Sequence, residues 1–348
     1  MKQLGYLLVK LWVKAGLYWY YKSIRVEGQQ HIPAKGPLLV LSNHQNALLD
    51  ILLIATHTKR KFWYLTRADI FKSTILKRLF AFFQMLPIYR IRDGRNSLAK
   101  NEAIFNRCGT LLNEQEAILL FPEGNHSLER RVRPLSKGFT RLLDDALNQN
   151  PGLALEVVPV GQNYQQARMV GDRAALYIGA PIRLHPYLKE ERYQERIKAT
   201  VFERLTALTT HIDEANYSEV ITKIQRAQVD FTNPKATNAQ LKNLEKLRPL
   251  VVKHNPLKAV FYWVFRILNV PFILLWRYWL LPKVPEPEFE ATFRFAFALI
   301  SYTLVYGILF FGIALFLSIK TALLFVVGHA VLNLLFTKMG ATSMGQRI

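Results

Sequence analysis

Leu38-Leu39-Val40-Leu41-Ser42-Asn43-His44-Gln45-Asn46-Ala47-Leu48-Leu49-Asp50 is the stretch on which the reading of this chain turns. Its first four residues form a short apolar run, suited to a strand buried on both faces of a parallel sheet. A helix is expected over about 47–56, so the strand passes to the helix through a polar turn. That order puts His44 at the carboxyl edge of the sheet, where open α/β folds hold their sites. Further strands are expected at 23–28, 63–66, 86–90, 116–121, 155–160 and 174–178, with helices at 70–83, 97–114 and 136–148. The alternation predicts an α/β fold: a mostly parallel sheet flanked by helices.

Asp50 follows His44 by six residues. In one continuous helix the two would sit about 9 Å apart along the axis and on different faces. They can meet only if 43–46 forms a turn, which Asn43, Gln45 and Asn46 favour. His44 would then serve as a general base, with Asp50 fixing its tautomer and stabilising the imidazolium. Taken alone, a His six residues before an Asp is common.

A second string, Phe121-Pro122-Glu123-Gly124-Asn125-His126-Ser127, follows the apolar run Ala117-Ile118-Leu119-Leu120. Glu123 at a strand end can order basic residues, and Gly124 permits close backbone approach to a ligand. A tight surface turn would look the same. Residues 59–107 carry twelve Lys/Arg against three Asp/Glu. Most of these read as a solvated basic face. Arg90, just after Pro87-Ile88-Tyr89, is the exception, placed for bidentate capture of phosphate. His126 has only Glu123 and Glu129 as nearby carboxylates and reads as loop structure or an acceptor contact.

Lys and Arg outnumber Asp and Glu by 46 to 25. Such an excess calls for a polyanionic neighbour. The apolar segments say which. Residues 295–319 are 25 consecutive uncharged positions, and 321–336 form a second apolar run. A bilayer crossing explains them and a soluble nucleic-acid binder does not, so the charge faces a membrane and no nucleic-acid partner is expected. The single Cys108 leaves no internal disulfide and reads as a buried small hydrophobe.

Residues 1–22 read as an amphipathic helix at the membrane interface rather than a cleavable leader. The α/β domain is expected over 23–186 and a solvated helical extension over 187–256. Residues 257–281 are interrupted by Arg266, Pro271 and Arg277, and read as an interfacial or re-entrant membrane segment. A transmembrane hairpin is expected over 288–340.

Together these motifs resemble the glycerolipid acyltransferase superfamily. Asn43-His44 through Asp50 looks like its catalytic block and Leu86-Pro87-Ile88-Tyr89-Arg90 like its second block. Phe121-Pro122-Glu123-Gly124 resembles the third and Val157-Val158-Pro159-Val160-Gly161 the fourth. Most members have four residues between His and Asp, whereas this chain has five. A branch that acylates glycerol-3-phosphate and dihydroxyacetone phosphate is similar in that spacing, in Asn46, in Leu135-Ser136-Lys137-Gly138 and in Asn163-Tyr164.

The resemblance implies fatty acyl transfer from an acyl-CoA or acyl-carrier-protein thioester to a glycerol-phosphate hydroxyl, in phospholipid synthesis. His44 and Asp50 would be catalytic. Arg90, Glu123, Gly124, Asn46 and Lys137 would bind substrate, with no metal and no cofactor beyond the thioester. The catalytic domain would sit on the cytoplasmic face of a membrane, by this reading a bacterial inner membrane. The alternatives are acylation of lysophosphatidate or another lysolipid, and a non-catalytic lipid-binding scaffold.

Overall fold

The computed structural model describes residues 2–71, 73–89, 97–250 and 255–342. One sheet contains β1 (Ser23–Glu27), β2 (Leu38–Ser42), β3 (Trp63–Arg67), β4 (Met85–Ile88), β5 (Ala117–Leu120), β6 (Glu156–Tyr164), β7 (Arg173–Ile178) and the short β8 (Ile182–Arg183). The spatial order is β1-β7-β6-β2-β5-β3-β4, with β8 pairing β6. β2 lies between β5 and β6 and is parallel to both; only the β6–β7 and β6–β8 pairings are antiparallel. The expected, mostly parallel α/β sheet is therefore present.

The apolar run of β2 alternates between two cores. Leu39 and Leu41 face a layer made with α4 (Ser97–Asn113), α5 (Gly138–Gln149) and α6 (Tyr193–Leu208). Leu38 and Val40 face the opposite layer, made with α1 (Lys2–Tyr20) and α2 (Ala47–His57). The helix expected over 70–83 is a 3-10 turn, Ala68–Ile70, followed by α3 (Thr74–Phe82).

Two expectations need correction. α6, read as solvated, buries Ile197, Val201 and Leu205 in the first core. Their four-residue spacing makes one narrow apolar stripe, which the charged remainder of the helix hides from a composition-based reading. The 1–22 helix is only partly interfacial. Leu4, Leu7, Leu8 and Leu11 are exposed, whereas Leu17, Tyr20 and the following Tyr21 are buried against the sheet.

After α7 (Tyr217–Arg226) and α8 (Pro234–Leu241) come the apolar helices. α9 (Pro256–Leu268) and α10 (Val270–Leu275) are separated at Asn269, and the chain bends there by 81°. α10 runs on into a π-helical turn, Trp276–Leu280. α11 (Glu290–Phe316) and α12 (Ile319–Met339) are each long and apolar enough to cross a membrane. Both hairpin ends return to the sheet domain. Glu290 pairs with Arg168, and Lys338 Nζ donates to the carbonyls of Tyr18 (2.8 Å) and Tyr21 (3.0 Å).

Gly161 in β6 marks where α6 closes on the sheet. A Cβ there would lie 2.2 Å from the Leu208 carbonyl oxygen, which is backbone and cannot swing aside. Gly161→Ala should therefore destabilise the protein by about 1–3 kcal/mol, seen as a lowered melting temperature in detergent; an unchanged melting temperature would show that this contact is slack.

Candidate active site

The site grows from the carboxyl ends of three adjacent parallel strands. β2 delivers residues 43–46, β5 delivers the turn from Phe121, and β6 ends at Tyr164. Asn43 continues the β2–β6 pairing with its side chain: its Nδ2 donates to the Gln162 carbonyl at 3.0 Å, and its Oδ1 accepts from Gln162 N at 2.7 Å. The chain then turns before α2 begins at Ala47, whose φ of 43° is unusual for a residue with a Cβ.

That turn lets His44 and Asp50 meet. His44 Nδ1 and Asp50 Oδ2 are 2.7 Å apart. The same oxygen accepts from the backbone N–H groups of Gln45 and Asn46, each at 2.8 Å. The other oxygen accepts from the Tyr164 hydroxyl at 2.6 Å. Asp50 is fully buried, and burial together with Asp50 holds the Tyr164 phenol protonated, well above its ordinary range. With Nδ1 committed to Asp50, Nε2 of His44 is the nitrogen left for substrate. The imidazole stacks on Phe121, with ring centroids 3.8 Å apart.

Glu123 and Gly124 lie in the turn after β5, as the sequence suggested. Gly124 has φ of 75°, the left-handed region that glycine enters without strain. Glu123 is buried, and Arg133 Nε donates to its Oε2 at 2.7 Å. Burial pushes its carboxyl up to about 7, opposed by the Arg133 guanidinium. The loop is tied to the His44 turn by Ser127 N donating to the His44 carbonyl (3.0 Å) and Gln45 Nε2 donating to the Glu129 carbonyl (2.9 Å).

The remaining substrate candidates fare differently. Arg90 lies outside the described residues. Lys137 is exposed at the start of α5, kept beside the Glu123 turn by Ser136 N donating to the Pro122 carbonyl at 2.7 Å. Asn46 is held in the turn through its side-chain amide nitrogen. It is buried, its Nδ2 donates to the Ala167 carbonyl at 2.9 Å, and its own carbonyl accepts from Thr292 of α11.

His126 is buried, and its ring centroid lies 5.7 Å from that of His44. Its carboxylate neighbour comes from far along the chain: Nε2 is 3.6 Å from Glu286 in the segment leading into α11. Burial, and then His44, lower its basicity. His126, Glu286 and Glu288 bring potential ligand atoms within 4.8 Å of one another and could accept a cation, which acyl transfer from a thioester does not require.

Tyr164 and Arg133 were not singled out by sequence reasoning. Tyr164 was visible only as a matched Asn163-Tyr164 pair, and Arg133 was one basic residue among many.

Residues 23–162 match the family model described as Acyltransferase. These residues belong to the glycerolipid acyltransferase superfamily. The acyltransferase domain is 28% identical over 138 residues to a chloroplast 1-acyl-sn-glycerol-3-phosphate acyltransferase of Arabidopsis thaliana, covering 39% of this chain and 36% of that protein. A Brassica napus protein of the same description is 25% identical over 138 residues, 39% of this chain and 38% of its own. The chain thus spans well under half the length of these relatives. The crystal structure of the 1-acyl-sn-glycerophosphate acyltransferase of Thermotoga maritima aligns at 17% identity with a TM-score of 0.43, covering 61% of this chain and 83% of that one.

Two outcomes follow from the geometry. Tyr164→Phe leaves a buried Asp50 oxygen without its donor and should cost about 1–3 kcal/mol of stability, together with a lower turnover number. Equal melting temperature and rate would remove Tyr164 from the site. A carboxyl raised by burial favours the folded state fully below its ordinary value and loses that contribution as pH rises through about 7. Wild type should therefore lose melting temperature relative to Glu123→Gln between about pH 5 and pH 8; parallel curves would place the Glu123 titration elsewhere.

Proposed function

We propose that this acyltransferase moves a fatty acyl group from an acyl thioester to the free hydroxyl of a 1-acylglycerol-3-phosphate, at a membrane surface. The observation that carries the reading is the Asp50-oriented His44 beside the base of a membrane hairpin, where Thr292 of α11 touches the catalytic turn. An acceptor that already bears an acyl chain is delivered by the bilayer to that place. The names of the Arabidopsis and Brassica relatives support the same acceptor. The glycerol-3-phosphate acceptor suggested by the five-residue His–Asp spacing lacks that support and becomes the second reading.

In the proposed reaction Nε2 of His44 takes the hydroxyl proton as the oxygen attacks the thioester carbonyl. Asp50 stabilises the imidazolium through Nδ1–H. The tetrahedral oxyanion collapses, the carbon–sulfur bond breaks, and the thiolate leaves with the proton from His44. An ester and a free thiol result. The thioester is already activated, so no acyl-enzyme is needed. The Glu123–Arg133 pair would fix the loop around the acceptor phosphate, with Arg90 and Lys137 as candidate phosphate contacts.

Lys283, Arg294 and Lys338 lie at the ends of the hairpin that face the domain, and Lys320 lies near its distal turn. Three cations against one support a cytoplasmic domain by the positive-inside tendency.

The test is transfer of radiolabelled acyl groups by the purified chain to lysophosphatidate, glycerol-3-phosphate, dihydroxyacetone phosphate and a neutral lysolipid. Lysophosphatidate should give the highest kcat/KM. Exclusive use of glycerol-3-phosphate would overturn the acceptor assignment. His44→Ala should lower kcat by about 10²–10⁴-fold with melting unchanged, and Asp50→Asn should lose most activity. If His44→Ala kept more than about a tenth of the rate, His126 would have to replace it as the base.

A further inference from the structure

A cavity of about 630 Å³ lies away from the catalytic turn, walled by α1, α9, α10, α11 and α12. None of His44, Asp50, Glu123 or Gly124 lines it. Its size is that of a small-molecule site, and its walls are mainly apolar and aromatic. Such a space beside membrane helices would ordinarily have purely apolar walls. This one contains Arg266, Arg277 and Arg294.

The three arginines differ in their partners. Arg294 shares the Glu290 carboxylate with Arg168 and also donates to the Arg168 carbonyl. Half-buried Arg266 donates to the Tyr262 hydroxyl at 2.9 Å and lies over Trp263, while exposed Arg277 lies over Tyr278. Among the described residues, neither Arg266 nor Arg277 pairs with a carboxylate. A cation in an apolar membrane segment is costly unless a counter-charge reaches it.

The cavity is also held open. Asn269, at the 81° bend, donates to Asn333 of α12 at 2.7 Å and accepts from the Tyr302 hydroxyl of α11. Phe272 stacks on Tyr302 with centroids 4.1 Å apart. Tyr306 and His329 extend the network, their Oη and Nδ1 lying 2.8 Å apart. Tyr302 is twelve residues into α11, about 18 Å along its axis, so the bend is pinned well inside the hairpin rather than at its base.

We propose that this cavity is a second lipid site, for phosphatidate: its phosphate monoester on Arg266 and Arg277, its acyl chain along Phe272 and the apolar face of α11. Positive charge is in excess here: Arg266 and Arg277 have no carboxylate among the described residues, and Glu290 is shared by two arginines. A monoester approaching two negative charges offsets more of it than a phosphodiester with one. Phosphatidate is also the product of the proposed reaction, but the site stands on charge and shape and does not need turnover.

The test uses the full chain in phosphatidylcholine nanodiscs doped with radiolabelled phosphatidate or phosphatidylglycerol, re-isolated in mild detergent and counted for retained lipid. Wild type and His44→Ala should both retain phosphatidate in preference to phosphatidylglycerol, so a failed activity assay leaves this result unaffected. Arg277→Gln, at an exposed position, should lower phosphatidate retention about tenfold, the loss of one charge-assisted hydrogen bond, and Arg266→Gln/Arg277→Gln should abolish it. Arg277→Lys should restore much of it. Equal retention of the two lipids, or phosphatidate retention unchanged in Arg277→Gln and in a folded double variant, would overturn the proposal.

Discussion

The Asp50 carboxylate is the constraint around which the candidate active site is built. A fully buried carboxylate is tolerated only when donors replace the water it has lost. Here one oxygen takes the His44 ring nitrogen and two backbone N–H groups, and the other takes the Tyr164 hydroxyl. Two strands and a helix must end in register for those donors to converge. The left-handed Ala47 is the local distortion that lets α2 start one residue after the turn and still direct Asp50 back under it. His44 is thereby held through its Nδ1 edge and by its stack on Phe121.

The long apolar helices are built onto the same turn. Thr292 contacts the Asn46 carbonyl, Arg168 and Arg294 hold Glu290, and Glu286 reaches His126. The start of α11 therefore borders the turn that holds His44, so the apolar hairpin and the candidate site are mechanically one structure.

The short apolar strands, the His44–Asp50 turn and the hairpin were legible in the sequence because each is local: a run, a spacing or a length. What was hidden is non-local. Tyr164 lies 114 positions from Asp50, and no periodicity joins them. His126 was judged against carboxylates within a few residues, whereas its neighbour is Glu286. The contact that Asn46 makes is equally non-local, its amide donating to the carbonyl of Ala167. α6 hides its docking face because three apolar residues suffice to seat a helix whose composition is otherwise that of a solvated one.

By accepting at Nδ1, Asp50 should fix which nitrogen of His44 carries the proton. Nitrogen-15 NMR of histidine-labelled protein, with His44 assigned by its loss in His44→Ala, measures this directly. Neutral His44 should be protonated on Nδ1, with that proton shifted downfield by the Asp50 contact, and should redistribute between the two nitrogens in Asp50→Asn. A neutral His44 protonated on Nε2 in the wild type, unchanged in Asp50→Asn, would contradict it.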